Sequence, residues 1–118
     1  MTQDEFACYE TARSAFGRGD HVGAARTLED LLADLAREEI LHGTSELRLL
    51  LARAYYHSSQ LTRAERMLDG LVADEPSDPY VRLLLARTLQ RQSRHDEARP
   101  HVAIADALGA DTSSARRS

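Results

Sequence analysis

The sequence predicts an all-α fold made of three antiparallel helix-turn-helix repeats, and three observations carry that reading. Arg48-Leu49-Leu50-Leu51-Ala52-Arg53 returns as Arg82-Leu83-Leu84-Leu85-Ala86-Arg87, 34 residues later. A fixed period of that length is the mark of stacked helix pairs, each of which buries its apolar face only against its neighbours. The register also continues beyond the hexamer, pairing Ala64 with Ala98, Leu68 with Val102 and Leu71 with Ala105. An earlier copy lies 40 residues upstream, where Thr11, Ala12, Ala15, Ala24, Leu28 and Leu31 precede Leu51, Ala52, Tyr55, Ala64, Leu68 and Leu71. The longer interval places six inserted residues after the second helix.

In chain order, the first helix is expected over Gln3 to Gly17, because Phe6, Tyr9, Ala12, Arg13 and Phe16 recur at three- and four-residue spacing. Gly17 and Gly19 supply the turn, and Asp20 is placed to cap the second helix. That helix is expected to run through the insertion, with Leu28, Leu31, Leu32, Leu35, Ile40 and Leu41 as its stripe and Gly43 as its end. Six extra helical residues would project about 9 Å. Thr44 is the expected N-cap of the third helix, which ends near His57-Ser58-Ser59. The fourth spans Leu61 to Asp74, closed by Pro76. Asp78-Pro79 starts the fifth, since aspartate accepts from free amides and proline occupies the first turn without losing a needed donor. The sixth is expected from Asp96 to just before Gly109, with Pro100 near its first turn. One domain, residues 1–110, is expected, with repeat units of about 5–43, 45–78 and 79–110. Residues 111–118 are small and polar and read as a disordered tail.

These positions resemble the tetratricopeptide repeat, as found in small bacterial-type proteins made only of such units. The family pattern of a leucine, a small residue, an aromatic, further small or apolar contacts and a closing proline is met by Leu51, Ala52, Tyr55, Ala64, Leu68, Leu71 and Pro76. Leu85, Ala86, Leu89, Ala98, Val102 and Ala105 meet it again. The family often has a bulky aromatic near the start of the first helix, where this chain has Cys8, Arg48 and Arg82. The resemblance implies a right-handed superhelical array whose first helices line a concave groove, a role in protein binding as scaffold or adaptor, and no cofactor.

Composition narrows the function. Hydrophobic residues are 42% and charged residues 29% of 118, a balance expected of a folded, soluble protein. No window approaches the roughly 18 apolar residues of a membrane span, and the amino terminus lacks a signal pattern, so a cytoplasmic, membrane-free location is expected. The formal net charge of −4 argues against nucleic acid. Every basic residue is arginine, which reads as coding bias. Cys8, the only cysteine, reads as a small packing residue rather than a nucleophile.

Residues that recur in register on first helices would form a ladder along the groove, and Arg13, Arg53 and Arg87 are such a set. The same face would present Phe6, Tyr9 and Phe16, then Leu49, Tyr56 and His57, then Tyr80, Leu83, Gln90 and Arg91. Guanidinium groups fork onto carboxylates and stack on rings, so this face suits an acidic peptide with apolar side chains. The first helices together are net positive and the second helices strongly net negative, which polarises the surface the same way. The bland alternative is that these arginines are solvated and paired with Glu10 or Glu46. The lysine, asparagine and arginine clamp that some family members use for an acidic chaperone tail does not match Tyr9, Arg13, Leu50, Tyr80 and Leu84.

A rival reading is self-assembly as a homodimer. The sixth helix carries Val102, Ile104, Ala105 and Leu108 with nothing helical expected after it, so Ile40, Leu41, His101, Ile104 and Leu108 are the candidate oligomer contacts. Catalysis is not expected. His21, His42, His57, His95 and His101 show no metal-ligand spacing, and neither a phosphate loop nor a nucleophile elbow is present.

Overall fold

The computed structural model describes residues 2–40 and 43–116, with the side chain of Arg116 left aside, and among these all regular structure is helical. The chain divides into two compact units, Met1–Gln60 and Leu61–Ser118. The first holds α1 (Gln3–Gly17), α2 (His21–Arg37) and α3 (Ser45–His57). The second holds α4 (Leu61–Asp74), α5 (Pro79–Arg91), α6 (His95–Ala107) and α7 (Ser113–Arg116).

In unit 1, α2 packs against both α1 and α3, and α1 also touches α3. The closest approaches are made by small side chains: Ala12, Ala24 and Ala52 are 0% exposed. Leu28, Leu31, Leu35, Leu47 and Leu51 complete the core around them. In unit 2, α5 packs against α4, α6 and α7, with Ala64, Ala86 and Ala98 as the small contacts and Leu68, Leu71, Leu85, Leu89 and Val102 around them. Positions that share a register in the sequence therefore share burial in the structure.

The helix starts follow local chemistry. Thr2 and Glu5 form a reciprocal capping box, in which each side chain accepts from the other's backbone amide. That bonding, chiefly the backbone amide of Thr2, holds the Glu5 carboxyl below its ordinary range. Asp20 accepts from the Gly23 amide, and Asp78 from Tyr80 and Val81. Thr44 stands at the N-cap of α3, but its side chain makes no cap bond. α6 begins at His95, one residue before the expected start, so Pro100 is its sixth residue, on an exposed face.

Helix ends differ from the expectation in an instructive way. α2 stops at Arg37 and does not run through the insertion; Gly43 is not its end. Glu39 takes a left-handed φ of 58°, its amide bonds the Ala36 carbonyl, and the Ile40 amide reaches back to Leu35. That paired bonding closes a helix and needs one left-handed residue, for which glycine is favoured. The same closure recurs at Gly19, Ser59, Ser93 and Gly109. Three of these five left-handed positions are therefore not glycine, which is why glycine alone mislocated the end of α2.

The carboxyl-terminal stretch also departs from the frayed tail read from its composition. α7 follows α6, Thr112 and Ala115 are buried, and Gln90 Nε2 donates to the Ala115 carbonyl at 2.8 Å. Ser93, with φ 61°, offers a direct check of the closure argument. Ser93→Gly should stabilise the protein by about 0.5–1 kcal/mol, the left-handed penalty of roughly 1–2 kcal/mol less the added freedom of an unfolded glycine. Urea unfolding measures it, and a lower midpoint would show that the serine side chain matters more than the backbone.

Candidate functional site

In unit 1 the first helices α1 and α3 run side by side and bring Phe6, Tyr9, Arg13, Leu49 and Arg53 to one open pocket of about 530 Å³. Phe6 is 54% exposed at its edge, a large apolar side chain left in water. Glu10, Glu46 and Leu50 also line it and were not among the expected site residues. Glu10 was legible, since it lies three residues before Arg13 on one helix face.

The two arginines of this pocket are not equivalent. Arg13 is ion-paired to Glu10 at 3.0 Å with both side chains largely exposed, and it also lies 5.7 Å from the centre of the Tyr9 ring. Arg53 instead lies 4.6 Å over the Phe16 ring, and among the described residues it has no carboxylate partner. A guanidinium stacked on a ring keeps its in-plane N–H groups free to fork onto an acceptor. Phe16 is itself held in a ring cluster, edge-on to His21 at 4.7 Å and to His57 at 5.6 Å, while the two imidazoles stack at 4.9 Å. Tyr56 meets His57 edge-on at 5.3 Å. The expected residues Phe16, Tyr56 and His57 thus form the support behind Arg53 rather than the pocket wall. His21 joins them from the head of α2, a contact that crosses a turn and has no periodic signature.

In unit 2, Tyr80 is well exposed, Leu83 and Arg87 are half-buried, and Arg91 is exposed near the end of α5. Arg87, like Arg53, has no carboxylate partner among the described residues. Gln90 is committed to the Ala115 carbonyl beneath α7, which withdraws it from an open face. Of the candidate oligomer contacts, Ile104 on α6 is 36% exposed and Leu108, its C-cap, 40%; their neighbours Val102 and Ala105 are core. Ile40 is half-buried and its amide closes α2; Leu41 and His42 lie outside the described residues.

His101 is not a free surface group either. Its Nδ1 lies 3.2 Å from Arg82 Nη1, and an arginine can only donate, so the imidazole accepts and is neutral there. Arg82 in turn donates from Nε to the Pro76 carbonyl, tying the α4–α5 turn to α6. Arg94 closes the same unit on its other side, bonding Glu65 of α4 at 2.6 Å and Glu97 of α6 through two nitrogens. Among the described residues no group of three or more His, Cys, Asp or Glu side chains is placed to hold a metal ion, and no helix is long and apolar enough to cross a membrane.

Tetratricopeptide repeat family models match residues 15–88 and 79–103. Among solved structures, a mutant form of MamA is similar with a TM-score of 0.78 at 16% identity, covering 93% of this chain and 76% of that one. PcrH in complex with the chaperone binding region of PopB is similar with a TM-score of 0.77 at 15% identity, covering 92% and 83%. No match was found among the curated proteins.

Burial, and then the charge of Arg82, push the His101 imidazole below its ordinary value, against an opposing pull from Asp69. The folded chain therefore binds this proton less readily than the unfolded chain, whose imidazole titrates near pH 6.5. The stabilisation is present above that pH and is lost as pH falls below it. His101→Gln should flatten the decline of stability between about pH 7 and 5, read by urea unfolding at several pH values; an unchanged slope would show that the imidazole does not couple to folding.

Proposed function

Because the chain belongs to the tetratricopeptide repeat family, we infer that it is a non-catalytic protein-interaction module, a scaffold or adaptor of the cytoplasm, whose first helices take an acidic, partly apolar segment of a partner protein. The observation that carries this reading is Arg53: a guanidinium on the wall of an apolar and aromatic pocket, propped by Phe16 and without a carboxylate among the described residues. Arg87 occupies the same register on α5 in the same unpaired condition. A partner carboxylate fits there because Phe16 fixes the cation without consuming its donors, so little side-chain freedom remains to be lost on binding. Phe6, Tyr9 and Leu49 receive the adjoining apolar side chain. Glu46 on the same wall disfavours a second acidic group close to the first. In fold the chain is similar to PcrH, a protein seen in complex with the chaperone binding region of PopB, which supports a peptide segment as the kind of ligand.

Reversing charge at Arg53 and Arg87 together should abolish capture of the partner from cell extract while thermal unfolding changes little. Reversal at Arg63 and Arg66, on α4, is the matched control and should leave capture intact. Loss in the control with retention in the Arg53 and Arg87 variant would place binding on the other face.

A second reading, homodimer assembly, draws on Ile104 of α6 and its C-cap Leu108, which stand one helical turn apart and exposed. Ile104→Glu should convert a dimer into a monomer in light scattering without loss of helical signal, because association would bury an unpaired charge. A wild-type chain that stays monomeric at high concentration removes the basis for this reading.

A further inference from the structure

The pocket between α1 and α3 is lined by four charged side chains among the described residues, and two of them answer each other. Arg13 is paired with Glu10 at 3.0 Å. Glu46 and Arg53 have no ion pair among the described residues, and both stand on α3. They lie seven positions apart, two turns or about 10.5 Å of rise, with Leu49 between them on the same face. α3 therefore offers the pocket an acid, an apolar group and a base, in that order. On α1 the position in register with Glu46 is Phe6, which is 54% exposed and lines the same pocket. The open acid at one end thus has an aromatic ring on the neighbouring helix, as Arg53 at the other end has Phe16.

We propose that this pocket selects its partner by charge order: it takes a helical segment carrying an acidic residue, an apolar residue four positions on and arginine seven positions on, laid antiparallel to α3. The inference rests on the groove proposed above and assigns Glu46 to the partner's base. A helix fits the span, since positions i, i+4 and i+7 share one face and cover the same rise as Glu46 to Arg53. A strand brings side chains to one face only every second residue, at about 6.8 and then about 13.6 Å. Orientation follows from the helix dipole. An antiparallel helix sets its amino-terminal acid at Arg53 and its carboxyl-terminal arginine at Glu46, so each charge lies at the end of the partner helix that favours it; a parallel helix reverses both. Arginine suits this place better than lysine, because a guanidinium forks onto a carboxylate and also stacks on a ring such as Phe6.

The probe is a fluorescein-labelled helix of alanine and glutamine carrying glutamate, leucine and arginine at positions i, i+4 and i+7, beside a twin with the glutamate and arginine exchanged. Anisotropy with the full chain should show the first bound about tenfold tighter than the twin. Exchanging the charges in the protein, Glu46→Arg with Arg53→Glu, should invert that preference. Should the exchanged chain lose helical signal, Glu46→Gln is the milder variant. It should weaken the first peptide about threefold, and weaken far less a third peptide with glutamine in place of arginine. Equal binding of the twins would overturn the proposal. Sensitivity to Arg53→Gln without sensitivity to Glu46→Gln would overturn it and leave the groove standing, whereas indifference to both would remove the groove as well. A wild-type dimer that Glu46→Gln dissolves would put a second copy in the pocket, and would overturn it too.

Discussion

Everything in this chain depends on alanine at the places where helices cross. Ala12 and Ala24 in unit 1, and Ala86 and Ala98 in unit 2, are wholly buried, and no larger side chain could stand there without forcing the helices apart. Close approach of the axes brings the flanking leucines within reach of one another, so Leu28 and Leu51, or Leu68 and Leu85, are sealed by neighbours only one helix away. The same alanines give the sequence its period. On α1, α5 and α6 a shift of register by one would place a larger side chain at the crossing, Thr11 or Arg13 for Ala12, Leu85 or Arg87 for Ala86, and Glu97 or Arg99 for Ala98.

That constraint explains which parts of the fold were legible. Two helix starts were readable because each rests on one residue with one job: Asp20 and Asp78 were expected as caps and accept backbone amides, whereas Thr44, expected in the same role, makes no cap bond. Helix ends were less readable, because the left-handed residue that closes a helix is glycine at Gly19 and Gly109 but Glu39, Ser59 and Ser93 elsewhere. There the turn is enforced by the two backbone bonds and by the apolar packing behind them, against the backbone strain. The projecting extension expected of α2 failed for that reason. α7 is masked in the sequence because its residues are small and polar, although the period that identifies the repeats, carried forward once more, leads to Thr112 and Ala115.

The candidate site was legible in part, and the physical reason lies in what sequence register encodes. Register places Arg13, Arg53 and Arg87 at one position of successive first helices, and in unit 1 Arg13 and Arg53 do share a pocket. It does not encode what surrounds each guanidinium. Arg13 has Glu10 three residues earlier on its own helix, so its charge is answered locally and in water, where such a pair is worth little. Arg53 has leucine at the matching place, Leu50, and finds instead a ring on the neighbouring helix.

Equivalent positions in a repeat are therefore unequal binding groups, and the inequality arises one residue at a time. The acid at position 10 is present in the first repeat and absent from the next two, where Leu50 and Leu84 are buried. α1 carries Ala7, Glu10 and Thr11, exposed or half-buried, where α3 buries Leu47, Leu50 and Leu51 and α5 buries Val81, Leu84 and Leu85. Those leucines and valines answer a second helix packed in front of them, α2 for α3 and α4 for α5. Where no such apolar contact is made the face can be polar, and by supplying Glu10 it neutralises the arginine beside it. Among the described residues, the arginines of this register without a carboxylate partner, Arg53 and Arg87, fall to the later repeats, whose first helices commit the same positions to core packing. The need of each repeat to bury its apolar face against a neighbour and the distribution of available charge thus follow from a single substitution pattern.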